Sequence, residues 1–160
     1  MWVFDASSII YGWDNYPPPQ FPLLWNWLAT QIEANQLLMP KVAFEEVDAK
    51  IPDCGQWLRG HNLQQLPVDN AVIAEALRIK GLLGIVGDRY HPKGVGENDI
   101  FIIATAKVHQ SPLVSNEGMQ NNRPNELSKC KIPKVCSFPD VQVRCLSFIA
   151  FIKESQAVFG

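Results

Sequence analysis

No apolar run in this chain approaches the roughly 18 residues that a membrane-crossing helix needs, so a helical span is excluded. A basic leader is also missing, and Asp5 interrupts the first apolar stretch, so no signal peptide is expected and the cytoplasm is the expected location. Cysteine is sparse: Cys54, Cys130, Cys136 and Cys145 form no CxxC pair and have no histidine at zinc spacing, which points to reduced, mostly buried thiols. Neither sign of charge dominates. A net charge of −2 and a pI near 5.9 supply no global basic field for nucleic acid, although a local basic rim beside an acidic site is compatible with them. Gly94 and Gly96 lack the third glycine and the preceding strand of a dinucleotide fingerprint. Ser7 and Ser8 sit in no G-x-S-x-G elbow, and His61 and His109 have no partner at catalytic or metal spacing. Internal repeats, low-complexity segments and linkers are absent, so residues 1–160 are expected to form one domain.

What is present is ordinary globular material, 47% hydrophobic and 19% charged, enough for a full core. "WVF" reads as a short buried strand ending at Asp5, followed by a turn-rich stretch, "YGWDNYPPPQ". Leu24, Trp27, Leu28 and Ile32 recur at helical spacing, and "QLLMP" reads as a second strand. Pro40 suits the first turn of a helix carrying Val42 to Val47, and a short helix with Trp57 and Leu58 follows. Val72, Ile73, Ala76, Leu77 and Lys80 predict another helix. After a Gly- and Pro-rich loop, "NDIFIIATAKVHQ" predicts a helix that Asn98 or Asp99 can cap. "SPLVSNEG" and "KIPKVCSF" read as strands, and "PDVQVRCLSFIAFIKES" as a closing helix. Short apolar strands alternating with helices predict an α/β sandwich with a mostly parallel central sheet.

Ligands of open α/β sheets sit beyond the carboxyl ends of the strands. Asp5 and Glu117 end strands, Glu46 follows the second strand within a helix, and Asp99 opens the Ala-rich helix. Each has a plain explanation alone: a helix cap, a solvent-facing acid, a turn residue. Drawn together they would repel, and some would take up protons unless a cation held them ionised. Hard oxygen ligands of this kind suit magnesium or manganese, which accept phosphate oxygens and activate water.

"VFDASSI", "PKVAFEEV", "ENDIFIIATA" and "LVSNEG" in this order resemble the PIN domain, a family of metal-dependent ribonucleases that includes VapC-type toxins. The resemblance spans almost the whole chain. It implies a three-layer α/β/α fold with a mostly parallel sheet, often a homodimer. In the family pattern an aspartate ends the first strand, with a small polar residue two positions on; here these are Asp5 and Ser7. The second acid best fits Glu46, with Glu45 as the adjacent choice, and the third fits Asp99. The fourth is usually Thr-x-Asp; this chain offers Ser115 and Glu117, keeping the charge but adding a methylene.

The resemblance therefore implies an endoribonuclease in which Asp5, Glu46, Asp99 and Glu117 hold Mg2+ or Mn2+. Ser7, Asn98 and Ser115 would orient ligands, and Arg89, Lys93 and Arg123 would contact RNA phosphates. As the toxin of a type II toxin–antitoxin system, the protein would have a cognate antitoxin as partner. The alternative is a catalytically degenerate PIN-like module that binds RNA or protein. A haloacid-dehalogenase-type enzyme would want a second aspartate where Ser7 stands, and a receiver domain lacks its phosphoacceptor pattern here.

Overall fold

The computed structural model describes residues 1–160. Strand β1 (Trp2–Phe4) leads into helices α1 (Ala6–Asn15) and α2 (Pro22–Glu33). Strand β2 (Leu37–Pro40) leads into α3 (Lys41–Lys50) and α4 (Pro52–Gly60), and β3 (Gln65–Leu66) into α5 (Asn70–Leu82) and α6 (Glu97–Val108). Strand β4 (Leu113–Val114) is followed by a 3-10 turn (Leu127–Lys129) and α7 (Ile132–Cys136); β5 (Cys145–Leu146) then enters α8 (Phe148–Ser155).

All five strands run parallel in the order β3-β2-β1-β4-β5, with Val3 paired to Leu38 on one side and Leu113 on the other. The expected mostly parallel sheet is thus wholly parallel. Helical crossovers carry the chain outward from β1 in one direction and back past it in the other; parallel connections of this kind are right-handed as a rule, which puts helices on both faces. The order reverses between β1 and β4. That reversal is the topological switch point, where side chains leaving adjacent strands splay apart and open a crevice.

Both faces of so short a sheet must be covered, which accounts for the uniformly buried Leu37, Leu38, Met39 and Pro40 of β2. Phe151 packs edge-on against Phe4 at 4.9 Å and Trp2 at 5.2 Å, so α8 covers the start of β1. Of the two neighbouring tryptophans, Trp25 is in the core and Trp27 is only partly covered, as their divergence on a helix requires.

Three segments differ from the sequence expectation. "YGWDN", expected as turn, completes α1, because Ile9 and Gly12 share a buried helical face and the Gly12 position lies against the Phe148 ring. "KIPKVCSF", expected as a strand, contains α7: Ile132 and Val135 are three apart, and Pro133 occupies its first turn. The closing segment is not helical throughout, since Cys145 and Leu146 pair with Leu113 and Val114 before Ser147 caps α8. Strand β3 was not anticipated.

Candidate functional site

Asp5 stands at the N-cap position of α1 yet makes no capping hydrogen bond with its side chain. Its carboxylate, 2% exposed, instead accepts the Ser7 hydroxyl at 2.6 Å and the Ser115 hydroxyl at 2.9 Å, both on Oδ2. Oδ1 receives no protein donor. The two serines come from opposite sides of the switch point, Ser7 from α1 and Ser115 from the exit of β4. Each is held in turn: the Asn116 backbone N–H donates to Ser7 Oγ at 2.9 Å, and the Glu117 N–H to Ser115 Oγ at 3.3 Å. Ser8 Oγ lies 2.7 Å from the Asp5 carbonyl and 3.0 Å from the Val114 carbonyl, tying β1 to β4 below the carboxylate. Asn116 Oδ1 accepts the Phe148 N–H at 2.8 Å and fixes the loop to α8.

Asp99, expected with Asn98 as a possible helix cap, lies in the first turn of α6, whose N-cap position is Gly96. Its Oδ2 accepts the Gly96 N–H at 3.0 Å, closing the first turn of α6, while the side chain faces the crevice. With Glu46, Gly96, Glu97 and Asn98 it lines a shallow cleft of about 300 Å³. Asn98 is exposed there and makes no side-chain hydrogen bond. Between the two neighbouring glutamates, Glu46 borders this cleft, while Glu45 turns to solvent and pairs loosely with Lys41 at 3.9 Å.

The electrostatics show four acids sharing one field. Burial pushes the Asp5 carboxyl from 3.8 up to about 6, with Asp99 and Glu117 adding repulsion and the two serines opposing it. Burial likewise raises Asp99, with Glu46 contributing repulsion and Lys50 countering it. Glu117 is raised by burial and by Asp99 and Glu46, and lowered by Lys131 and Lys50. Two lysines thus face four carboxylates. Neither was singled out from the sequence, although Lys50 lies four residues after Glu46 on α3, a spacing that places both on one helical face. No three of the chain's carboxylate, histidine and cysteine side chains are gathered closely enough to ligate one ion. Glu46 is engaged by Lys50 Nζ at 2.8 Å, and Glu117 stands on the loop beyond β4.

The three expected phosphate contacts are all exposed. Arg89 and Lys93 lie in the loop between α5 and α6, whereas the Arg123 guanidinium rests 4.4 Å over the Phe138 ring. Cys54, Cys130 and Cys136 are buried free thiols and Cys145 is half-buried; burial raises the Cys54 thiol to about 12. His61 pairs with Glu33 at 2.7 Å on the surface, away from the crevice.

Removing the Ser115 hydroxyl tests the Asp5 cradle. Ser115→Ala deletes a donor to a buried carboxylate and is expected to cost about 1–2 kcal/mol near pH 8. That hydrogen bond favours the ionised form, so the loss shrinks as pH falls through about 6, where Asp5 takes up a proton. Urea unfolding across this range checks it; a loss independent of pH would mean that the hydroxyl serves packing alone.

Two solved structures share this architecture. VapBC2 from Rickettsia felis, bound to a DNA fragment from their promoter, gives a TM-score of 0.51 at 13% identity, covering 91% of this chain and 97% of that one. FitAcB from Neisseria gonorrhoeae gives 0.53 at 16% identity, covering 93% and 99%. At these identities the likeness shows the fold, a PIN-like α/β/α sandwich, in agreement with the resemblance drawn from the motifs. No curated protein matches the sequence. The family model described as "Domain of unknown function (DUF4411)" matches residues 2–159, and the chain belongs to that family.

Proposed function

We propose that this protein is a Mg2+- or Mn2+-dependent endoribonuclease, the toxin of a type II toxin–antitoxin system. The observation that carries the reading is the set of four carboxylates around the switch point, three of them raised in pKa, with only two lysines to balance them. Raised carboxyl pKa values gathered in a cleft, with one carboxylate fully buried, mark a candidate functional site. The donor chemistry suits a hard divalent cation, since all four ligand candidates are carboxylates and Asp5 keeps one oxygen clear of protein donors, although no three of them stand within reach of one ion.

Asp5, Glu46, Asp99 and Glu117 would hold the ion or ions, which when bound supply Lewis-acid polarisation of the phosphodiester and a stronger water nucleophile. Hydrolysis adds water across one P–O bond; the water oxygen joins phosphorus and the leaving sugar oxygen ends with a proton. Ser7 and Ser115 fix the Asp5 carboxylate through Oδ2 and leave Oδ1 without a protein donor. Asp99, tied to Gly96, is fixed by the start of α6. Lys131, beside Glu117, brings positive charge to the edge that a polyanion must approach, and Arg89 and Lys93 extend it along the exposed loop. RNA as substrate and a homodimeric assembly come from the family resemblance. A cognate antitoxin is supported further by the two toxin–antitoxin complexes that share the fold. No helix is long and apolar enough to cross a membrane.

The competing reading, a PIN-like module that binds RNA or protein without catalysis, is favoured by one observation. No three ligand side chains stand within reach of a single ion. End-labelled structured RNAs incubated with the protein, with and without Mg2+ or Mn2+, separate the two. Metal-dependent cleavage is expected for the wild type and is expected to vanish in Asp5→Asn and Asp99→Asn. RNA binding with no cleavage under any metal would select the binding module. Coexpression with the product of the neighbouring gene tests the toxin role: restored growth and a stable complex are expected, and neither would appear for a free-standing nuclease.

A further inference from the structure

Cys136 is the last residue of α7, and Cys145 opens β5, the edge strand of the sheet. The chain between them folds back on itself. The Val143 N–H donates to the Cys136 carbonyl at 3.0 Å, and the Val141 and Gln142 N–H groups donate to the Phe138 carbonyl, each at 2.9 Å. Exposed Arg144 separates buried Val143 from half-buried Cys145, the alternation of extended chain, so Cys145 shares the inward face with Val143. There its thiol is in hydrogen-bond contact with the Cys136 thiol. Cys54 and Cys130 are 0% exposed, and neither feels another cysteine.

Access within the pair is uneven: Cys136 is 1% exposed, whereas Cys145 is half-buried. In thiol–disulfide exchange the attacking sulfur must be ionised and reachable. A thiol that donates to a neighbouring sulfur favours ionisation of the acceptor. The contact with Cys145 and burial together push the Cys136 thiol well above its ordinary value, which suits it to the donor role. Cys145 is thus placed to react first and Cys136 to follow, its attack being intramolecular.

We propose that Cys136 and Cys145 form a reversible dithiol–disulfide pair, a modification site that takes a low-molecular-weight disulfide as its oxidant. The Cys145 sulfur attacks one sulfur of that disulfide; its S–S bond breaks, and one thiol leaves with the proton that Cys145 gave up. The Cys136 sulfur then attacks the Cys145 sulfur of the mixed disulfide. The second thiol leaves with the Cys136 proton, and a protein disulfide remains. Two protein thiols are oxidised, and one disulfide is reduced to two thiols. Thiols in contact are within a side-chain rotation of the roughly 2 Å bond required. The new bond closes the loop 136–145 and ties the short edge strand β5 to α7.

The site is independent of the acid cluster and of its chemistry. To test it, the reduced chain is exposed to oxidised glutathione without denaturant, remaining thiols are blocked, and trypsin is added under non-reducing conditions. Cleavage after Lys134, Arg144 and Lys153 puts Cys136 in peptide 135–144 and Cys145 in peptide 145–153. The expected result is loss of two of the four thiols, the two peptides joined with the loss of two hydrogens, and full recovery with dithiothreitol. Cys136→Ala is expected to stop with glutathione on Cys145, and Cys145→Ser to leave Cys136 unmodified. The wild-type peptide map decides alone if either variant fails to fold. Glutathione retained on wild-type Cys145 without a cross-link overturns the pairing. Four unmodified thiols, or a cross-link through Cys54 or Cys130, overturn it as well.

Discussion

Replacing Asp5 by asparagine is expected to stabilise the protein by about 2–3 kcal/mol at pH 7 while reducing RNA cleavage by about a thousandfold or more. The two effects share a cause. Asp5 is almost wholly buried, receives only two hydroxyl donors and no cation, and its carboxyl is pushed from 3.8 up to about 6. A group whose pKa is raised by folding contributes stability that is fully present below the unfolded value and is lost as pH rises through the folded one. At pH 7 the fold therefore carries an ionised carboxylate that the unfolded chain would solvate better. Asparagine has the same shape, keeps a carbonyl oxygen for Ser7 and Ser115, and carries no charge.

For a chain of this length the gain corresponds to a rise of roughly 5–10 °C in Tm at pH 7, shrinking toward zero near pH 4. Thermal unfolding at the two pH values reads both the size and the sign. A variant less stable than wild type at pH 7 would show that the carboxylate is compensated by something other than the two serines. Greater stability paired with lost cleavage would be the signature of a residue kept for function at the cost of folding, as the proposed nuclease reading requires.

Gly94→Ala is expected to destabilise the protein by about 3 kcal/mol or more, among the larger effects available to a single methyl group. A Cβ at this position would collide with the Ser128 carbonyl oxygen and lie 2.8 Å from the Ser128 carbonyl carbon and 2.9 Å from that of Lys129. All three are main-chain atoms, so no side-chain rotation relieves the clash. The close approach is part of a seam in which the Val95 N–H donates to the Cys130 carbonyl at 2.9 Å and buries Val95. Forcing the seam apart moves Gly96 and, through it, the α6 terminus that carries Asp99. Mn2+ affinity and cleavage should therefore fall together with Tm. Gly60→Ala, which meets nothing within 4 Å, is the control and should change stability by less than about 0.5 kcal/mol. Equal stability in the two variants would mean that the seam yields freely and does not position α6.

Much of this molecule follows from local pattern. Helices α2, α3, α5 and α6 carry apolar residues at three- and four-residue spacing. Periodicity of that kind survives any tertiary arrangement, because it reflects which helical face must leave water. Asp5 and Asp99 were legible for a related reason: one interrupts an apolar run at a strand exit, and the other opens an Ala-rich helix. Both are places where a charge needs an explanation. Among the short segments, β1, β2 and β4 are legible as apolar runs, whereas β3, β5 and α7 are not. The pair Ile132 and Val135 satisfies a helical spacing without excluding extended chain, so the sequence pattern of α7 is equally that of a strand. A two-residue strand such as β3 or β5 has no period to read, and only the neighbouring strand supplies its hydrogen bonds.

The sequence by itself determined an alternating α/β chain with acids at strand exits and helix starts, because hydrophobic period and chain polarity act over a few residues. Tertiary structure alone decided which of those acids meet. The rotation of α3 puts Glu46, the acid the motif resemblance favours, beside the cleft and leaves Glu45 in solvent. Asp5 was turned from capping its own helix to receiving Ser115 because β1 and β4, some 110 residues apart in the chain, are neighbours in the sheet. Lys50 and Lys131 entered the site for the same reason. Lys50 meets Glu46 one helical turn away, but its action on Asp99 and Glu117, and that of Lys131 on Glu117, appears only once the chain is folded.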